Sequence, residues 1–146
     1  MAASNIEKFD EVAGAVFANL YDSFPIPIYM ELDKYTGGKP LLKDIDEWNS
    51  INSDEANMAY FTILWLIGSG YITAIPHNSG GYWYGFSEAV LTAKGLETLK
   101  ATPGSLTTPL GERLKEAVKH DGREITRSLV SQALSIGLNL GINALK

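Results

Sequence analysis

Histidines and carboxylates are the residues of this sequence whose types could support metal binding or acid–base chemistry. His77 falls in a predicted turn and His120 at a predicted helix end, and their spacing brings no set of metal ligands together. Because neighbouring residues on a helix point in different directions, we expect the carboxylates to be solvated rather than paired for catalysis. The carboxylate clusters are Asp10/Glu11, Asp44/Asp46/Glu47 and Asp54/Glu55.

The chain also lacks the motifs of nucleophilic catalysis and cofactor binding. It has no cysteine, none of its serines lies in a Gly-x-Ser-x-Gly elbow, and Gly80-Gly81 lacks the lysine and hydroxyl of a phosphate-binding loop. We therefore predict a protein that is not an enzyme and that binds no metal and no cofactor. The absence of cysteine, together with first residues that do not resemble a signal peptide, predicts a cytoplasmic location.

Charge is distributed unevenly along the 146 residues. Residues 1–89 carry 4 Lys or Arg against 12 Asp or Glu, whereas residues 90–146 carry 8 against 5. An acidic protein is repelled by nucleic acid unless its cations gather on one face, so any DNA contact would depend on the second half. The basic residues predicted for such a contact are Arg113, Lys119, Arg123 and Arg127. The alternative is that these residues pair with the acidic first half.

Hydrophobic periodicity predicts a series of helices and one β-hairpin. The helices are expected from Ile6 to Leu20, from Leu41 to Trp48, from Ser53 to Gly68, from Leu91 to Lys100, from Leu110 to His120 and from Arg123 to the end of the chain. Extended structure is expected at residues 24–30, and β-branched and aromatic runs at 71–75 and 82–86 flank a glycine-rich turn. Residues 103–109 resemble a linker.

Two short motifs flank the predicted hairpin. Gly68-Ser69-Gly70-Tyr71-Ile72 precedes it and Leu91-Thr92-Ala93-Lys94-Gly95-Leu96 follows it. These two motifs and the predicted order of helices and hairpin resemble those of the winged helix-turn-helix superfamily over residues 6–101. The resemblance implies an α+β fold.

In DNA-binding members of that superfamily, the third helix enters the major groove by its N-terminal residues. Here those positions are residues 54–57, where Asp54 and Glu55 would face phosphates and only Asn57 suits adenine. This departure from the pattern of the DNA-binding members favours a protein partner over DNA.

The aromatic residues of the hairpin are candidates for partner binding. Strand alternation predicts that Tyr82, Tyr84 and Phe86 share one face and that Trp83 lies on the other. An outward Trp83 beside Tyr60 or Tyr71 would anchor a protein partner or a stacked base. The alternative is that Trp83 packs under the C-terminal helix. The predicted partner-binding residues are Trp83, Tyr82, Tyr60 and Tyr71.

The last helix has apolar residues on nearly every side and no charge over residues 128–145. It either packs across the core or forms a homodimer in which small residues let two helices approach closely. The predicted self-association residues are Leu129, Ala133, Ile136, Gly137, Leu140 and Gly141. Polar residues such as Gln132 and Asn139 disfavour a membrane span.

The sequence thus predicts an α+β winged-helix-like domain over residues 6–101, followed by a helical self-association element over residues 110–146. The favoured function is a non-enzymatic regulatory or adaptor module that acts through protein contacts, as a homodimer. The alternative is a DNA-binding transcriptional regulator.

Overall fold

The computed structural model describes the backbone of residues 4–102, 108–120 and 122–144, and the side chains of these residues up to 140. Over this part the architecture is α+β, with five α-helices, a three-stranded antiparallel sheet and a two-stranded hairpin. The elements are α1 (Asn5–Ser23), β1 (Ile28–Glu31), a 3-10 helix (Leu32–Tyr35), β2 (Leu42–Asp44), β3 (Ser50–Asn52), α2 (Asp54–Gly68), β4 (Ile72–Ser79), β5 (Tyr82–Leu91), α3 (Ala93–Lys100), α4 (Leu110–Lys119) and α5 (Arg123–Ala144).

Helix α1 packs against α2, α4 and α5. Its start is fixed by a capping box, in which the Ser4 hydroxyl accepts a hydrogen bond from the Glu7 N–H and the Glu7 carboxylate accepts one from the Ser4 N–H. The apolar stripe predicted from the spacing is buried, with Phe17 and Leu20 fully enclosed. The helix predicted for this segment is confirmed.

The three-stranded sheet has the order β1-β5-β4, and both neighbouring pairs are antiparallel. β4 and β5 form the predicted hairpin, with strands longer than the sequence indicated. α2 leads into this hairpin and α3 follows it. This order of helices and a small hairpin sheet is consistent with a winged-helix-like arrangement.

The motif that opens α3 connects this helix to the start of β4. The Thr92 hydroxyl accepts a hydrogen bond from the Gly95 N–H and caps the helix, and Lys94 donates one to the Ser69 carbonyl at 2.8 Å. Gly95 lies against the Tyr71 carbonyl, where a Cβ would overlap it. Each of these residues of the motif therefore has a local structural role.

The prediction of a short helix over residues 41–48 is wrong, because this segment enters the β2–β3 hairpin. Between the strands, the Asp46 carboxylate accepts hydrogen bonds from the Trp48 N–H at 2.8 Å and from the Asn49 N–H at 2.9 Å. Such local side-chain hydrogen bonds compete with helix formation. The apolar residues at helical spacing share no buried face, since Ile45 and Trp48 are 60% and 86% exposed.

Strand β5 contains a β-bulge that changes which aromatic side chains share a face. The register between β4 and β5 shifts just before Asn78, which leaves Tyr84 as the extra residue. Trp83 and Phe86 therefore lie on one face, where both stack on Tyr60 at ring-centroid distances of 4.5 and 5.6 Å. The predicted alternation, which put Trp83 and Phe86 on opposite faces, is wrong for this reason.

Helix α5 packs back along the molecule, against α1, α3 and α4. Leu129, Val130 and Ala133 belong to the same hydrophobic core as α1 and the sheet. Within the described residues, the C-terminal helices and the winged-helix-like region thus share a core. Among those residues, no helix is both long enough and apolar enough to cross a lipid bilayer.

Candidate protein-interaction site

Three aromatic side chains lie at least partly exposed on α2 and β5. We call them the aromatic face and define it as Phe61 and Trp65 of α2 and Trp83 of β5. Phe61 and Trp65 are four residues apart on one side of the helix and are 61% and 47% exposed. Tyr60 connects Phe61 to Trp83, with ring centroids 5.2 Å from Phe61 and 4.5 Å from Trp83. The buried ring of Tyr60 therefore connects α2 to β5 beneath the aromatic face.

The side chains of the aromatic face are held in place from below. Trp65 lies between Phe9, whose ring meets it edge-on at 5.2 Å, and Tyr71, whose ring stacks on it at 6.2 Å. The side-chain amide of Asn52 accepts a hydrogen bond from the backbone N–H of Trp83 at 2.8 Å and donates one to the backbone carbonyl of Trp83 at 2.9 Å. Few rotamers remain available to Trp65, and the backbone that carries Trp83 is fixed.

The four predicted partner-binding residues have different environments. Trp83 is half-buried, and its ring stacks on that of Tyr60. Tyr82 is half-buried, whereas Tyr60 and Tyr71 are buried and support the aromatic face from within. Burial raises the pKa of both the Tyr60 and the Tyr71 hydroxyl. Sequence periodicity missed Phe61 and Trp65 as surface residues because it assigned them to the apolar pattern of a buried helix.

The tip of the β2–β3 hairpin forms a second exposed feature, the acidic arm, which we define as residues 44–49. Its largest side chain is Trp48, which is 86% exposed. Hydrogen bonds from the Trp48 N–H and from Asn49 lower the pKa of the Asp46 carboxyl. The Ser50 hydroxyl also donates to Asp44 at 2.8 Å. The arm thus presents a tryptophan on a closed, hydrogen-bonded turn.

An open cleft of about 810 Å³ lies where α1, the 3-10 helix, the start of α2 and the α4–α5 junction meet. Its apolar lining includes Val12, Ala15, Met58 and Val118. Its rim carries Lys8, Lys34 and Lys39, which are exposed and form no ion pair with any described residue. The lining also contains three carboxylates. Asp54 pairs with Lys43 at 3.1 Å, Glu11 lies 3.6 Å from Arg123, and Glu55 is exposed.

Two of the five predicted nucleic-acid contacts, Arg123 and Arg127, lie against acidic residues of α1. Arg127 pairs with Glu7 at 2.5 Å and with Glu11 at 3.7 Å, and Arg123 lies 3.6 Å from Glu11. The alternative in which the basic residues pair with the acidic first half therefore describes these two arginines. Burial raises the pKa of the neighbouring Asp10 carboxyl, and the charge of Arg127 opposes this rise.

The remaining predicted nucleic-acid contacts lie on two elements. Arg113 and Lys119 are exposed on α4, and they form no ion pair with a described residue. Asn57 is half-buried in the first turn of α2, where Asp54 and Glu55 are exposed. The surface at the start of α2 is thus acidic rather than basic.

The predicted self-association groove on α5 is occupied by the chain's own residues, which corrects that prediction. Ala133 is fully buried, Leu129 is 3% exposed, and a Cβ at Gly137 would overlap the Tyr71 hydroxyl. Ile136 is half-buried and Leu140 is 36% exposed, while the Gly141 position lies outside the described side chains. Two copies cannot approach through the Ala133/Gly137 stripe while Tyr71 fills it.

The two histidines lie apart from one another. His77 forms a 2.6 Å hydrogen bond with the Ser87 hydroxyl, and His120 lies 3.3 Å from Glu116. Within the described part of the chain, no three His, Asp or Glu side chains are grouped to hold a metal ion.

No protein-family model, curated protein or solved structure matches this chain.

Proposed function

We propose that this protein is a non-enzymatic adaptor or regulatory module of the winged-helix superfamily that binds a protein partner through the aromatic face. One observation carries the proposal: Phe61 and Trp65 leave large aromatic surfaces in solvent, 61% and 47% exposed, side by side on α2. Contiguous exposed apolar surface is typical of interaction sites, whereas single exposed apolar residues are ordinary.

The support beneath the aromatic face favours tight binding. Trp65 is wedged between Phe9 and Tyr71, so its side chain loses little rotamer freedom when a partner covers it. Tryptophan and tyrosine are also the residue types that most often dominate binding energy at protein interfaces. The expected partner presents an apolar segment that covers Phe61 and Trp65.

A DNA-binding regulator is the alternative proposal, and the charge distribution disfavours it. Arg127 and Arg123 would have to leave Glu7 and Glu11 to contact phosphates. Asp54 and Glu55 are exposed where a groove-reading helix would begin. This alternative predicts binding to mixed DNA fragments that weakens steeply with salt and weakens further in Arg113→Ala and Lys119→Ala.

The test uses the full chain as bait in an extract of its source cells, followed by calorimetry with the purified partner. Phe61→Ala should weaken that complex by about 2 kcal/mol, roughly 30-fold, because it removes an exposed aromatic anchor. Ile26→Ala is the matched control, since Ile26 is 66% exposed but lies outside the aromatic face. Equal affinity of wild type and Phe61→Ala, or salt-sensitive DNA binding, would contradict the proposal.

A further inference from the structure

We propose that the acidic arm of one copy docks in the cleft of a second copy, so that the chain forms a reciprocal homodimer anchored by Trp48. This inference goes beyond the proposed function, because neither the arm nor the cleft belongs to the aromatic face. Either proposal can therefore fail while the other stands.

Trp48 has the exposure and the rigidity of an interface anchor. At 86% it is the most exposed large hydrophobic side chain among the described residues. Its backbone is fixed before binding, because the Asp46 carboxylate accepts hydrogen bonds from the Trp48 and Asn49 N–H groups. A side chain presented on a preformed turn loses less conformational entropy when it is buried.

The charges of the arm and of the cleft rim are complementary. Asp44, Asp46 and Glu47 are exposed around Trp48, and none of them forms an ion pair with a described residue. The rim carries the equally unpaired Lys8, Lys34 and Lys39. Its carboxylates are Glu11, which lies 3.6 Å from Arg123, Asp54, which pairs with Lys43, and the exposed Glu55, so the three lysines are the part of the rim that an acidic arm would contact. Opposite charges around a central aromatic anchor favour association and fix its orientation.

The cleft also has the size and lining that an indole requires. Its volume of about 810 Å³ exceeds that of one aromatic side chain and leaves space for Ile45 beside Trp48. Apolar side chains of α1, α2 and α4 lie inside it, at Val12, Met58 and Val118. Trp48 would therefore exchange solvent for contact with these three apolar side chains, surrounded by the polar rim.

The position of the arm selects a second copy rather than its own cleft. Lys39 and Asp54, which flank the two strands of the hairpin, line the cleft, whereas no residue of the tip does. Three residue pairs at about 3.3 Å each place the tip about 10 Å away from this root. Because the tip does not line the cleft beside its own root, it is available to the same cleft of a twofold-related copy.

The test is sedimentation velocity of the full chain over a concentration series. The wild type should dimerise, and Trp48→Ala should raise the dimer dissociation constant roughly tenfold or more. Phe61→Ala is the control, since it truncates an exposed aromatic side chain outside the arm and should leave the dimer intact. A monomeric wild type, or a dimer whose dissociation constant Trp48→Ala leaves unchanged, would overturn the inference.

Charge exchange distinguishes docking from misfolding. A chain with Asp44→Lys and Glu47→Lys and a chain with Lys34→Glu and Lys39→Glu should each be monomeric, because each places like charges in both contacts. Mixed together they should form a heterodimer, because both of its contacts then join opposite charges. Failure of the mixture to associate, while both variants keep wild-type circular dichroism, would also overturn the inference. Asp46 is left unchanged because it closes the turn.

Discussion

The Asp46 carboxylate organises the tip of the acidic arm, and its protonation should loosen that tip. Hydrogen bonds from the Trp48 N–H and from Asn49 hold the pKa of this carboxyl below its ordinary value. A lowered pKa in the folded state means that the stabilisation is present above the ordinary carboxyl pKa and is lost as the pH falls through the lowered value. The turn should therefore be intact at pH 7 and weaken below about pH 4.

Amide NMR spectra recorded from pH 7 to about pH 2 measure this loss directly. The Trp48 and Asn49 amide protons should move upfield together with a single midpoint below the ordinary value for aspartate. Asp46→Asn is the control and should abolish the transition at both amides. A midpoint at or above the ordinary aspartate value would show that the hydrogen bonds do not stabilise the ionised carboxyl.

At the scale of elements, the close approach of α5 to Tyr71 makes Gly137 a sensitive position. A Cβ added at Gly137 would overlap the Tyr71 hydroxyl, so Gly137→Ala should destabilise the fold by about 1–3 kcal/mol. Gly68→Ala is the matched control, because nothing lies within 4 Å of a Cβ there, and alanine favours helix more than glycine does. Urea denaturation compares the two variants.

Comparing Gly137→Ala with the wild type also shows whether the small residues Ala133 and Gly137 of α5 pack within the chain or between two copies. Gly137→Ala should lower the unfolding midpoint without changing the mass of the protein in solution. A variant of wild-type stability that no longer self-associates would place Gly137 at an interface between copies instead of against Tyr71.

The elements with strong local signals could be predicted from the sequence, and those governed by side-chain hydrogen bonds could not. α2 was predictable because Ser53 caps it and apolar residues follow at helical spacing. The 41–48 segment carried a similar apolar spacing, but the hydrogen bonds around Asp46 favour a turn over a helix. No pattern of residue types indicated the bulge at Tyr84. The prediction therefore placed Trp83 on the wrong face of β5 relative to Phe86.

At the scale of the whole molecule, the decisive contacts join segments that are distant in sequence. The Arg127–Glu7 ion pair links residues 120 positions apart, and no local spacing indicates it. The apolar residues of the last helix could not distinguish core packing from dimerisation, because either arrangement would bury all sides of that helix. The cleft likewise depends on how α1, α2 and α4 meet. Sequence could therefore predict the fold class and the acidic start of α2, but neither the aromatic face nor the cleft.

The three tryptophans of the chain report on the two proposed surfaces separately, because Trp65 and Trp83 lie in the aromatic face and Trp48 lies in the arm. The most direct measurement records their indole N–H signals by NMR while the purified partner is added. The proposed function predicts that the Trp65 and Trp83 signals shift on partner binding. Dilution of the protein alone should shift Trp48. Partner binding that leaves Trp65 and Trp83 unchanged, or equal shifts on addition of DNA, would contradict the claim that this protein acts through its aromatic face.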